Sequence, residues 1–231
     1  MQNMNKVFLE TVNSTNTYAK ENAAYLPMPS LIIAESQTEG RGRQGKSFFS
    51  PENTGLYMTC VFSAPSDCEL LTPAAAVAVC KSLEKLGADP KIKWVNDVFI
   101  DGHKVCGILT ECFSCDAKLY IALGIGINLT TEEFPDELEI AGSVNIDCSK
   151  IELAEEIAQS ILDYTANPDN NRILNEYRKR LFIIGRNITY HKNNKEYSAT
   201  VEGINGNCNL IVKKADGSND ILSSGEISIK V

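Results

Sequence analysis

The chain has 231 residues and a formal net charge of −8, from 30 acidic and 22 basic side chains. That balance argues against a general nucleic-acid surface, which needs clustered cations to neutralise phosphates. A hydrophobic share of 43% supports a sizeable core, and the length suits one main domain with a small appendage.

Met1 to Lys6 hold no apolar stretch of the signal-peptide kind, and no run approaches a membrane span, so a cytoplasmic protein is expected. The eight cysteines are then expected to be reduced thiols. Cys112-Phe-Ser-Cys115 is the one CxxC spacing. A zinc site would need a second pair, which Cys148, Cys208, His103 and His191 do not supply, so packing is the expected role.

In chain order, Val7 to Leu9 is a short apolar strand. Ser14-Thr15 offers an N-cap for a helix through Tyr18 to Ala24, which stops at Pro27-Met-Pro29. Leu31 to Ala34 and Gly55 to Phe62 are strands, the first leading into a glycine-rich loop. An alanine-rich helix runs from Leu70 to Leu86, with Pro73 near its start and Gly87 past its end. Lys91 to Glu111 reads as a hairpin about Asp101-Gly102, a type I′ turn signal. Period-2 alternation would put Lys93, Val95, Asp97 and Phe99 on one face of its first strand, and Trp94, Asn96 and Val98 on the other. Leu119 to Leu123 is a strand running into Gly124-Ile-Gly-Ile-Asn128. Ser149 with Glu152 forms a capping box for a helix whose apolar face carries Leu153, Ile157, Ile161 and Tyr164. A second helix covers Arg172 to Leu181.

Composition changes near Gly185. Beyond it, short β-type runs (Ile188–Tyr190, Tyr197–Val201, Leu210–Lys213, Ile227–Val231) alternate with Asn193-Asn194, Asn205-Gly206 and Asp216-Gly217 turns. This pattern indicates an α+β domain over residues 1–183 and a small β-barrel over 184–231.

Four segments carry chemistry. Arg41-Gly-Arg-Gln-Gly-Lys46 places three cations among glycines, which suits a compact anion such as phosphate or carboxylate. Alone it is equally a solvated turn, and it is not a Walker A loop. Its position after a buried strand, with Gln37 three residues before Gly40, favours a site. Ser14-Thr-Asn16 has more short polar side chains than one helix cap requires, so it also suits an uncharged ligand group that donates and accepts hydrogen bonds. Lys93 and Asp97, with Lys104 on the next strand, lie in a largely apolar hairpin, where charges need partners or a ligand. Gly107 inside a strand suggests close backbone approach to something. Asn128, after the second glycine pair, could recognise a base edge or a phosphate.

In this order, Ser14-Thr-Asn16, Gln37 to Gly45, Lys93 to Asp97, Lys104 to Leu109 and Gly124 to Leu129 resemble the biotin protein ligases. The resemblance covers most of residues 10 to 130. It implies a mixed central β-sheet flanked by helices, with a small SH3-like C-terminal domain. It also implies a two-step, ATP-dependent reaction. Biotin is activated as biotinyl-5′-AMP, then transferred to a lysine of a biotin carboxyl carrier domain, the expected partner. Mg²⁺ on the polyphosphate would assist.

By the same resemblance, Ser14, Thr15, Asn16, Gln37, Gly40, Arg41, Gly42, Arg43, Lys104, Gly107, Gly124 and Gly126 would bind biotin. Arg41, Arg43, Phe48, Lys93, Asn96 and Asn128 would bind ATP or the adenylate. Arg43, Lys104 and Asp97 would act in catalysis, with no dedicated protein ligands for a metal. The family's loop orders over its ligand, and the glycines here suit such a transition. Two positions depart from the family pattern. Phe48 stands where Trp is usual, and would still cover the base. Val95 replaces a proline, and the strand is expected to persist through it. Cys106 sits where a small residue is usual and is expected to pack.

About a dozen residues precede Ser14, too few for the helix-turn-helix that some relatives carry. With the acidic balance, this sets an expectation of no DNA binding and no repressor role. Relatives include monomers and dimers; a homodimer would use an edge strand of the central sheet. A lipoate protein ligase is the near alternative, although its Arg-Arg and Gly-Gly-Gly pattern is missing. A non-catalytic biotin or nucleotide sensor is the other.

Overall fold

A computed structural model describes residues 4–192 and 195–223, and residues 227–229 by their backbone. Strands β1 (Asn5–Val12), β2 (Ser30–Gln37), β3 (Gly55–Ser63), β4 (Lys91–Lys93), β5 (Asp97–Ile100), β6 (His103–Cys115) and β7 (Lys118–Asn128) form one sheet. Its order is β1-β2-β3-β7-β6-β5-β4. The β1–β2 pair is parallel and the others are antiparallel, so the sheet is mixed as expected. Helices α1 (Thr15–Glu21), α2 (Leu71–Lys85), α3 (Lys150–Ala166) and α4 (Asn170–Arg180) flank it.

Alternation along the central strands sorts the two faces. Leu56, Met58, Cys60 and Phe62 of β3 join Ala75, Val79 and Leu83 of α2 and Leu153, Ile157 and Ile161 of α3 in the main core. On the opposite face, Val61 of β3 packs with Ile32, Ala122 and Ala19 of α1 in a smaller cluster. The expected Ser149 cap forms, its Oγ accepting from Glu152 N at 3.3 Å. Asp101 and Gly102 take positive φ (49° and 82°), as the hairpin signal requires.

Strands β8 (Asn187–Lys192), β9 (Lys195–Ile204), β10 (Leu210–Lys214), β11 (Asn219–Leu222) and β12 (Ile227–Ile229) make a second, antiparallel sheet in the order β11-β10-β9-β8-β12. β11 was not evident in the sequence, because Asn219-Asp-Ile-Leu222 carries little strand-type composition. The Asn193-Asn194 turn and residues 230–231 lie outside the described residues. Ile188, Val201 and Leu210 of this sheet belong to the same core cluster as α2 and α3.

The expected strand through Lys93 to Asp97 does not form. β4 stops at Lys93, residues 94–96 turn, and β5 returns antiparallel, so Lys93 pairs with Asp97 across the turn. Val95 therefore sits in a turn, and the expected alternation of faces fails there. Tertiary bonds hold the turn. Trp94 Nε1 donates to the Cys208 carbonyl at 2.7 Å, Tyr177 Oη donates to the Val95 carbonyl at 3.1 Å, and Asn96 exchanges bonds with the Ile108 backbone at 3.0 Å. Together these outweigh the strand propensity of one valine.

Candidate active site

The site lies on the sheet face that carries α1. Strand register lines up Asp97, Gly107, Gly126 and Tyr57 in one row, and Leu109, Gly124 and Thr59 in the next. Gly124 and Gly126 lie inside β7, which continues past Leu123 to Asn128. Their missing side chains leave a hollow that neighbours fill. A Cβ on Gly124 would meet Asn16, at 2.9 Å from Cγ and 3.1 Å from Nδ2. A Cβ on Gly126 would meet the Phe48 ring, 2.7 Å from Cζ, and one on Gly107 would lie 3.2 Å from Phe48 Cε2. The close backbone approach read at Gly107 is thus an approach by Phe48.

Ser14, Thr15, Asn16, Gln37, Arg41 and Phe48 line this pocket with the three glycines, and its free volume is about 20 Å³. That is room for about one water. Phe48 fills the remainder and meets Tyr57 edge-on, with ring centroids 6.4 Å apart. The resemblance implied that Phe48 covers the nucleotide base. In this structure its ring lies among the residues assigned to the organic acid. Bare backbone at Gly107 and Gly126 offers an apolar ring a surface to bury against.

The polar wall is a connected network. Ser14 holds the N-cap position of α1, yet its side chain makes no capping bond, and the residue is buried. Gln37 Oε1 accepts from Thr15 N at 2.8 Å and from Thr15 Oγ1 at 3.2 Å, while its Nε2 donates to Ser50 Oγ at 2.9 Å. Thr59 Oγ1 lies 2.8 Å from Thr15 Oγ1 and 2.6 Å from Asn16 Oδ1. Asn16 Nδ2 donates to the Leu109 carbonyl at 3.3 Å and to Glu111 Oε2 at 2.9 Å. Thr59 and Glu111 were not singled out from the sequence. A buried threonine in an otherwise apolar strand, and a carboxylate four residues after Gly107 on the same face, were the signals available.

The glycine-rich loop folds as a tight hairpin. Phe48 N donates to the Gly40 carbonyl at 2.8 Å, Gly42 N to the Lys46 carbonyl at 2.7 Å, and Arg41 bridges Ser47. At its tip, Gln44 and Gly45 take positive φ. No side chain fits at Gly40, where a Cβ would stand 2.6 Å from Ser50 Oγ. Arg41 Nη1 reaches Glu111 at 3.1 Å, and Arg43 Nη1 donates to Asn96 Oδ1 at 3.1 Å. Burial raises the Glu111 carboxyl, but hydrogen bonds from Lys20 and Asn16 and the charges of Lys20 and Arg41 outweigh it, leaving the group below its ordinary 4.5.

Lys104 Nζ lies 2.8 Å from Asp97 Oδ1, an ion pair whose geometry falls short of a hydrogen bond. The segment around Ala141 runs beside Lys104, with Lys104 N donating to the Ile140 carbonyl at 2.6 Å. Asn128 Nδ2 donates to the Gly142 carbonyl at 3.0 Å, while its Oδ1 is buried with no partner among the described residues. An orphaned acceptor of this kind fits an N–H donor on a ligand. Lys93 lies apart: its Nζ sits 5.9 Å over the Phe99 ring, and it lines neither cavity.

A second cavity of about 590 Å³ opens beside the loop. Arg43, Gln44, Thr72, Val95 and Thr110 line it from the main sheet side, and Asn207, Cys208, Asn209 and Ser223 from the C-terminal sheet. All eight cysteines are free thiols. Cys106 is buried, and burial pushes its thiol well above the ordinary range, in keeping with packing. Among the described residues, no three His, Cys, Asp or Glu side chains cluster as a metal site, and no helix is long and apolar enough to cross a membrane.

Comparison with known proteins gives the same picture. The chain is 35% identical over 148 residues to the bifunctional ligase/repressor BirA of Bacillus spizizenii, covering 60% of this chain and 46% of that protein. It is 32% identical over 160 residues to the biotin–[acetyl-CoA-carboxylase] ligase of Mycobacterium tuberculosis, covering 65% of this chain and 52% of that one. The chain thus spans about half the length of these curated relatives. The fold superposes on a biotin protein ligase from Aquifex aeolicus solved with biotin and ATP, with a TM-score of 0.83 and 23% identity over 98% of both chains. A biotin protein ligase C-terminal domain model matches residues 183–230. The strands that build the pocket fall within residues 8–128, where the model of the biotin/lipoate A/B protein ligase family matches more than half of the chain, and the chain belongs to that family.

Proposed function

We propose that the protein is an ATP-dependent biotin protein ligase, which forms biotinyl-5′-AMP and transfers biotin to a lysine of a biotin carboxyl carrier domain. The observation that carries this reading is the glycine-floored hollow. Its wall is uncharged and polar (Ser14, Thr15, Asn16, Gln37), and the Arg41 cation lines it as well. Such a hollow suits an acid with a neutral, hydrogen-bonding head and an anionic tail. The names of the relatives and the match to the C-terminal domain model favour biotin over lipoate.

In the first step, a biotin carboxylate oxygen bonds to the α-phosphorus of ATP, and the bond from that phosphorus to the bridging oxygen breaks, releasing pyrophosphate. Two anions must meet, so fixed positive charge lowers the barrier. Arg41, Arg43 and Lys104 supply it, and Mg²⁺ arrives as part of the nucleotide substrate. Asn128 offers its buried Oδ1 to a base N–H. In the second step, the carrier lysine amine attacks the acyl carbon and AMP leaves. Asp97 orients the ammonium and takes its proton. Phe48 moves off Gly107 and Gly126 to admit the bicyclic ring. The net charge of −8 supports the absence of an operator-binding role.

The test is incubation with α-labelled ATP, biotin and an apo carrier domain. Labelled adenylate followed by a carrier mass gain of one biotinyl group is expected. Adenylate that forms but never transfers would favour a sensor. Tight binding of lipoate with no binding of biotin, by calorimetry, would move the assignment to lipoate ligation.

A further inference from the structure

Among the described residues, Glu111 is the one carboxylate bonded to the polar wall of the pocket, and no step of the reaction uses it. It lies on β6 in alternation with Gly107 and Leu109, so all three share the pocket face. Its two oxygens tie two elements, α1 and the glycine-rich hairpin, to β6. Oε2 accepts from Asn16 Nδ2 at 2.9 Å and from Arg41 Nη1 at 3.3 Å; Oε1 accepts from Lys20 Nζ at 2.9 Å and lies 3.1 Å from Arg41 Nη1. The Glu111 side chain is 21% exposed, so these contacts form with much of their surrounding water removed.

Two consequences follow from hydrogen-bond inventory. An ionised carboxylate only accepts, so the Asn16 amide must turn its N–H₂ toward Glu111. The second amide proton goes to the Leu109 carbonyl, and Thr59 takes one lone pair of Oδ1. All that Asn16 has left is an acceptor lone pair. The other consequence is mechanical. Arg41 is at the base of the glycine-rich hairpin, and its ion pair ties that hairpin to the pocket wall.

We propose that Glu111 is a positioning residue, resting on the biotin reading above. Its carboxylate holds Asn16 as an acceptor for a ureido N–H of the ligand and tethers the lid through Arg41. The side chain itself does not touch the ligand. A neutral amide at 111 could present either polarity to Asn16, and it would hold no cation.

The test uses the full chain and Glu111→Gln, with thermal unfolding as the check on folding. Calorimetry measures binding of biotin and of biotin methylated on its ureido nitrogens, which lacks the donors. The wild type is expected to prefer biotin. Glu111→Gln is expected to weaken biotin by roughly 10–100-fold, the scale of one charge-assisted hydrogen bond, while the methylated analogue changes little, so that the preference narrows. Glu111→Asp, which remains acceptor-only, is expected to keep the preference. Equal losses for both ligands, or an unchanged preference in Glu111→Gln, overturn the proposal while leaving the biotin reading intact. Absence of biotin binding by the wild type overturns both. Lid tethering is read without ligand. Arg41→Gln is expected to speed trypsin cleavage at Arg43 and Lys46 at least about threefold, the equivalent of losing a partly exposed ion pair. Cleavage at the wild-type rate refutes the tether even if Glu111→Gln does not fold.

Discussion

Adding one methyl group at Gly124 tests the architecture of the pocket directly. In Gly124→Ala the new carbon would stand 2.9 Å from Asn16 Cγ and 3.1 Å from Nδ2, and closer still to Oδ1. Asn16 is 3% exposed and bound at both ends of its amide, so relief requires it to leave Thr59 or Glu111. Overpacking costs about 1–3 kcal/mol, and loss of a buried hydrogen bond about 1–3 kcal/mol. Removing a glycine from a strand interior returns about 0.5–1 kcal/mol. The balance is a net loss of about 1–5 kcal/mol, and biotin affinity falls at least about tenfold because Asn16 is displaced. Gly206→Ala is the matched control: nothing lies within 4 Å of its Cβ position. Urea unfolding and biotin calorimetry on both variants decide the matter. If Gly124→Ala matches wild type in stability and affinity, Asn16 does not occupy the hollow and the account of the pocket is wrong.

Arg43→Gly removes the guanidinium that bonds Asn96 at 3.1 Å across the loop, and is expected to release biotinyl-AMP into solution. Mass spectrometry should then show biotin on bystander lysines, and wild-type retention of the adenylate would refute the role of the loop. Lys104→Ala removes the cation 2.8 Å from Asp97, and should slow adenylate formation more than transfer from supplied biotinyl-AMP; equal losses in both half-reactions would refute that assignment. Trp94→Phe keeps an aromatic ring but removes the pyrrole half of the buried indole, and with it the 2.7 Å bond to the Cys208 carbonyl. A loss of about 1–3 kcal/mol is expected in urea unfolding, because the carbonyl is left without its donor; an unchanged midpoint would show that the two sheets do not depend on this contact.

The legible part of the molecule was its local part. Leu31 to Ala34 and Gly55 to Phe62 announced strands because apolar, β-branched composition sets the conformation of a few residues at a time. Ser149 and Asp101-Gly102 announced their cap and turn because each acts on backbone groups within four residues. The chain order of Ser14-Thr-Asn16, the glycine-rich loop, Lys104 to Gly107 and Gly124 to Asn128 was enough to indicate the family. The strand expected through Val95 failed where distant groups intervened. Trp94, Val95 and Asn96 find their partners at Cys208, Tyr177 and Ile108, and no local pattern encodes those bonds.

The sequence by itself determined most of the order of elements, the α+β class of the fold and which segments bear charge, since periodicity and turn chemistry are properties of neighbouring residues. Only the tertiary structure decided what faces what. Register placed Gly107 beside Gly126 and Leu109 beside Gly124, and the missing side chains there admitted Phe48 and Asn16. It also brought Glu111 against Lys20 and Arg41, which lie 91 and 70 residues away along the chain. Contacts over such separations depend on how strands pair and where a Cβ is missing, and both are set when the whole sheet assembles.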